Sequence, residues 1–257
     1  MPFSRRLFLT LTPAAPLFVA EAVHGQTVTP SDSFPAHDAS VVFEVVSVAH
    51  GNVNRVRELL SNRPALANAG WDWGFGDWET PLGAASHVGN REIAALLLDS
   101  GARPTIFSAA MLGQLEVVKA FVTATPGIQR IRGPHGIPLL AHAKAGGAAE
   151  VVKYLESVAD SNAPYRNEPL TDAARSACVG TYLFGQGSTQ EVVVSTTERS
   201  ALTIRRAGGA DRTLFHLGNL TFHPAGADSV RIRFGAGTPA PSLTIEDGPV
   251  QMTARRK

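Results

Sequence analysis

Chemistry in this chain of 257 residues would have to start from eight histidines, one cysteine and the carboxylates Asp77 and Glu79. His50 and His87 occupy matching places in two similar segments, which lets them approach one another; His135 and His142 lie seven residues apart. Imidazoles suit zinc or copper. Ligands on one helical face need a His-x3-His spacing, however, and no pair here has it, nor does an acidic cluster accompany the histidines. Surface or capping histidines are therefore the favoured reading, with no metal and no cofactor assigned and a zinc or copper site as the alternative. Asp77 and Glu79, with His87 nearby, have the types for an acid–base pair, but hairpin and capping roles are the simpler account. Cys178 reads as a packed, inert thiol. Ser-x-x-Lys, Gly-x-Ser-x-Gly and His-Glu-x-x-His are all missing, as is a phosphate-cradling loop. No catalytic residue is assigned and no enzyme is expected; a weaker option places an enzyme site between two domains, at His142 or His223.

Composition narrows the classes further. Apolar residues at 44% and charged residues at 18% describe an ordinary globular chain, and a formal charge of +1 leaves no footprint for nucleic acid. A single cysteine excludes an internal disulfide framework and any zinc site built from several thiolates. Residues 1–22 read as a signal peptide: basic Arg5-Arg6, an apolar stretch from Leu7 to Ala20, then Ala20-Glu21-Ala22 as a small-x-small cleavage site. Ser4-Arg5-Arg6-Leu7-Phe8-Leu9-Thr10 resembles the twin-arginine export signal, with Thr10 where that pattern has Lys; the alternative is an ordinary secretory signal. The run is too short and Pro-broken to remain in a membrane, so a periplasmic or secreted protein without stable membrane insertion is expected. Residues 23–38 read as a flexible lead-in.

The elements that would position these side chains are repeated. GNVNRVRELL (51–60), GNREIAALLL (89–98), GQLEVVKAFV (113–122) and GAAEVVKYLE (147–156) each open on glycine and continue with apolar residues at helical spacing. A short Ala-rich segment precedes each. Helix, glycine turn, helix, repeated, predicts a solenoid in which every unit buries its face against its neighbours. Thr80-Pro81-Leu82-Gly83-Ala84-Ala85-Ser86-His87-Val88-Gly89-Asn90, closed by Asp99-Ser100-Gly101-Ala102, resembles the ankyrin repeat. Gly83 replaces the usual His of that motif. The Gly-to-Gly spacings of 38, 24 and 34 residues depart from the family period of about 33. The resemblance implies about four units over residues 39–160, with a long finger ahead of the second.

That finger, WDWGFGDW (71–78), holds all three tryptophans of the chain. Fingers and inner-helix ends form the partner-binding face of ankyrin proteins, so the resemblance implies partner contacts at Trp71, Trp73, Phe75 and Trp78, and at His50, His87, Val88, Met111 and Leu112. The competing expectation is that most of the rings fold back and cap a short array.

Residues 161–169 read as a linker, followed by a helical turn with Thr171 as its cap. Beyond it the period changes to alternation: Val192–Val194, Leu202–Ile204, Leu220–Phe222, Val230–Phe234, Leu243–Ile245 and Val250–Met252 predict short strands. Turns at Gly185/Gly187, Gly208-Gly209, Gly226, Gly235/Gly237 and Asp247-Gly248 separate them, which predicts a small antiparallel β-barrel or sandwich over 170–257. Val179-Gly180-Thr181-Tyr182, Phe222-His223-Pro224, Ile232-Arg233-Phe234 and Ala254-Arg255-Arg256 resemble the lipocalin-like module that follows some β-lactamase-related serine hydrolases; no catalytic role carries over. The fold class expected is α + β multidomain. The function expected is protein–protein interaction, as an exported adaptor or chaperone-like protein whose partner is another protein. A small-ligand or carbohydrate-binding protein, using the barrel or the Trp-rich finger, is the alternative.

Overall fold

The computed structural model describes residues 32–185, 190–206 and 209–257. The signal peptide, most of the lead-in and the turn glycines Gly187 and Gly208 lie outside the described residues. The described residues belong almost wholly to the second of two units, the compact stretch His37–Lys257. No helix among the described residues is long and apolar enough to cross a membrane.

The second unit begins with paired helices: α1 (Ala39–Val48) with α2 (Val53–Asn62), α3 (Pro81–His87) with α4 (Arg91–Asp99), α5 (Ile106–Leu112) with α6 (Leu115–Ala124), and α7 (Leu139–Ala145) with α8 (Ala149–Ser157). Local chemistry sets their starts. The side chains of Asn52, Thr80 and Asn90 accept from Arg55, Gly83 and Ile93 amides at 3.0–3.1 Å, and Thr105 with Ser108 forms a capping box at α5. The first helix of each pair packs on the first helix of the next, α1 on α3, α3 on α5 and α5 on α7, with α3 also touching α7. The small residues Ala84, Ala85, Ala109, Ala110 and Ala143 are buried at these contacts, which lets the backbones approach closely.

The convergence of α3, α5 and α7 is held by one side chain. Arg91 donates from Nη1 and Nη2 to the Leu112 carbonyl and from Nε to that of Gly146, at 3.2–3.3 Å, so it caps two helix C-termini together. Gly146 is required there, because a Cβ would run into the Met111 carbonyl oxygen. Gly146→Ala is expected to cost about 2–3 kcal/mol, as overpacking against rigid backbone does. Gly147→Ala, at φ +65° but in open space, is expected to cost about 1 kcal/mol of backbone strain. Thermal melts of the two variants check the ranking.

Helix α9 (Asp172–Cys178), capped by Thr171, leads into the barrel. After the short hairpin of β1 (Trp71–Asp72) and β2 (Trp78–Glu79) between α2 and α3, the barrel strands are β3 (Gly180–Phe184), β4 (Glu191–Thr196), β5 (Leu202–Arg206), β6 (Arg212–Gly218), β7 (Thr221–Pro224), β8 (Arg231–Phe234), β9 (Ser242–Asp247) and β10 (Val250–Arg256). They close in the order β10-β3-β4-β5-β6-β7-β8-β9, every pair antiparallel. The fold class is thus α + β with an eight-stranded antiparallel barrel; the sandwich alternative is set aside because β10 pairs with β3 and leaves no sheet edge. Two strands escape the expected set, β3 and β6, the second because Leu214-Phe215-His216-Leu217 does not alternate cleanly. Tyr182, Phe222, Ile232 and Leu243 fill the core at 1% exposure or less. Arg256 closes one end, donating from Nη2 to the Ala177 and Val179 carbonyls at 2.7 and 2.8 Å.

Candidate metal centre

The expected groove positions have separate fates. Trp71 and Trp73 fold back and pack against the helical core, edge-on to Phe43 with ring centroids 5.2 and 5.7 Å away. They belong to a short hairpin in which β1 (Trp71–Asp72) pairs with β2 (Trp78–Glu79). Phe75, at φ +59° in the hairpin turn, packs against the barrel core. Met111 is wholly buried and Leu112 half-buried in the helix array. Trp78 and Val88 face solvent, at 65% and 44% exposure.

His50 and His87 do approach, with ring centroids 4.9 Å apart, and they are not alone. His50 follows α1, Glu79 ends β2, His87 ends α3, and His135 sits in the 3-10 turn Pro134–Gly136 that precedes α7. One ligand atom from each lies within 4.8 Å of the others, the group of this kind found among the described residues. Glu79 is the hub. Its oxygens lie 3.6 Å from His50 Nε2, 3.6 Å from His87 Nε2 and 3.4 Å from His135 Nε2. Tetrahedral ligands about 2.1 Å from a zinc ion stand about 3.4 Å apart, close to the separations of His50 and His135 from Oε2 and of His87 from Oε1.

Neighbouring groups fix which atoms face inward. His50 Nδ1 lies 3.0 Å from the Ser47 carbonyl, a bond that makes Nδ1 the donor and leaves the Nε2 lone pair free. His135 Nδ1 lies 3.1 Å from Asp77 Oδ2, which makes it a donor to that carboxylate and turns Nε2 toward Glu79. Trp73 donates its indole N–H to Glu79 Oε2 at 2.7 Å. That is the answer to part of the tryptophan cluster: one ring orients a ligand. Glu79 Oε1 and both His87 nitrogens are buried without a hydrogen-bond partner. A buried carboxylate oxygen so placed is costly unless something cationic meets it. His135 adds strain, at φ +59° in the left-handed region.

Electrostatics splits the histidines. Burial pushes His87 down to about 4, reinforced by the other imidazoles and only partly offset by Glu79. Burial also acts against the charged form of His135, but hydrogen bonds to Asp77 and Glu79 outweigh it and hold that ring up at about 9. His142, wholly buried with Nδ1 bonded to the Pro138 carbonyl, is pushed down by burial; its ring lies behind His87, centroid to centroid 6.4 Å. Asp77 is held below the usual carboxylate range: burial raises it, and the His135 bonds with the Arg212 charge more than compensate.

Spacing arguments found the His50–His87 pair and missed the rest. Glu79 and Asp77 do belong to the hairpin through their backbones, but their side chains are buried, at 0% and 4% exposure, and His135 arrives from a turn 48 residues beyond His87. The available signal was a pair of carboxylates in a glycine-rich finger directly before a repeat whose inner helix ends in histidine. The chain matches no protein-family model and no curated protein.

Proposed function

We propose that this protein binds a divalent transition-metal ion of the zinc–copper class through His50, Glu79, His87 and His135. One observation carries the reading: three imidazoles and a carboxylate converge around buried polar atoms that have no other partner. The donor set selects the ion class. Imidazole suits zinc, copper, nickel and iron, while the absence of a thiolate and the single carboxylate disfavour copper(I), calcium and magnesium. The solvent side of the centre is bounded by His50 and His135, whose side chains are 31% and 34% exposed, which provides an entry path.

The finer architecture is part of the same reading: an ankyrin-type solenoid over 39–160, followed by a lipocalin-like barrel from 170, exported by a twin-arginine-type signal to the periplasm or beyond. In this arrangement the ion ties two successive repeats to the finger and to the turn before the last inner helix. Calorimetric titration of chelator-stripped protein tests the proposal. One equivalent of Zn2+ or Cu2+ is expected to bind, copper more tightly, with no heat from Mg2+ or Ca2+. Binding of neither Zn2+ nor Cu2+ would end it.

A second reading, docking of a protein partner, is favoured by Trp78 and Val88, which stand exposed on β2 and after α3, next to two of the ligands. Trp is prominent among interface anchors. Crosslinking in envelope extract, wild type against Trp78→Ala, is expected to lose a partner in the variant; an unchanged crosslinking pattern removes Trp78 from that role.

A further inference from the structure

The four ligands all come from the helical half of the unit, yet one of them is held from behind by the barrel. Asp77 is the link. Its Oδ1 accepts from the His135 amide at 2.9 Å and its Oδ2 lies 3.1 Å from His135 Nδ1. The same Oδ2 accepts from Arg212 Nη2 at 2.8 Å, and Arg212, the first residue of β6, also donates from Nη1 to the Ala225 carbonyl at 2.9 Å. Asp77 of this ion pair is buried, at 3% exposure, and the Arg212 side chain nearly so, at 11%. The turn after β7 comes in close: a Cβ on Gly226 would stand 3.0 Å from the Asp77 carboxyl carbon, and one on Gly136 would stand 2.8 Å from the Gly226 nitrogen. Asp77 is further fixed through its own backbone, whose carbonyl accepts from the Trp73 amide at 3.0 Å.

A histidine ligand whose second nitrogen is bonded to a carboxylate is set in tautomer and direction by that carboxylate. Here the carboxylate is in turn set by a guanidinium on another element. We infer that the barrel is a working part of the metal centre, with Arg212 acting through Asp77 as a positioning residue for His135, so that metal occupancy and the seating of the barrel on the helices are linked. This rests on the metal-binding reading of the site. Linkage is reciprocal: if the barrel contact raises metal affinity, metal must stabilise the barrel contact by the same factor.

Two measurements with Zn2+ as the probe test it. Arg212→Gln removes the charge and one donor of the fork; it is expected to weaken Zn2+ binding 10–100-fold, the usual effect of losing an outer-shell partner. Arg212→Lys, which retains the charge but reaches one acceptor, is expected to recover part of that loss. The second measurement needs no variant. In wild-type protein, Zn2+ saturation is expected to slow hydrogen exchange at the Ala225 and Gly226 amides and in β6, none of which touches a ligand of the ion. Tight Zn2+ binding with exchange in the barrel unchanged would overturn the linkage and leave the metal centre standing, as would Arg212→Gln protein that binds Zn2+ like wild type. Wild-type protein that binds no Zn2+ overturns both. If Arg212→Gln does not fold, the exchange experiment alone decides.

Discussion

His87→Ala is expected to erase the metal-dependent gain in thermal stability. An ion at one hundred times its dissociation constant adds about 2.7 kcal/mol to a folded protein that binds it and an unfolded chain that does not. For a unit of this size that is about 5–10 °C in Tm. His87 is the ligand most committed to the ion, since its side chain is only 6% exposed and neither nitrogen has a hydrogen-bond partner. Without metal the same imidazole is an unsatisfied group that holds apolar space. Its removal should therefore cost the stripped protein far less than the polar deletions that break hydrogen bonds. Differential scanning calorimetry of stripped and Zn2+-loaded samples gives both numbers in one experiment. A variant that keeps the full Zn2+-induced shift would show that the ion binds elsewhere or that His87 is only packing.

Metal affinity is expected to rise with pH, about tenfold per unit from His135 alone, and to level off near pH 9. The sign follows from proton counting. Below about 9 the metal-free protein carries a proton on both nitrogens of His135, and the Nε2 proton must leave before that atom can donate to an ion. The complex thus holds one proton fewer, and alkali favours it until the free ring has already lost its proton. Calorimetry in buffers of different ionisation enthalpy should register about one proton released per ion at pH 7. A count near zero would mean that His135 is not a ligand.

The metal-free protein should show the converse linkage in its stability. His135, raised to about 9, contributes stability that is complete below about 6.5 and is lost as pH climbs through 9. His87, depressed to about 4, works in the acid range: from about 6.5 downward the unfolded chain takes up a proton that the folded ring refuses, and stability falls until pH 4. Both windows border on pH 6.5, which is where these two groups together favour the fold most.

The sequence-based picture of the elements was accurate where the physics is local. Glycine turns with flanking helices at 51, 89, 113 and 147 follow from spacing and caps, and six strands follow from alternation; each signal resides in residues that are chain neighbours. β6 escaped because Leu214-Phe215-His216-Leu217 is apolar on both faces although only Leu214 and His216 are buried, and β3 because Tyr182 is the one buried side chain in Gly180–Phe184. Met111 stood in the expected groove by its place in the repeat, yet the close approach of α5 and α7 at Gly146 buries it.

From the residues alone came the helical pairs, the all-β second half and the possibility that His50 and His87 meet, while the Trp-rich finger was left between a partner face and a back-folded cap. Tertiary structure alone decided that Glu79 would lie at the middle of three imidazoles, that His135 would reach them from a turn far along the chain, and that Arg212 of the barrel would hold the carboxylate behind it. The reason is physical: periodicity reports which face of an element is apolar, whereas convergence of ligands depends on how whole elements are placed over long chain separations. A lone histidine and a lone glutamate carry the same local signal whether they meet an ion or water.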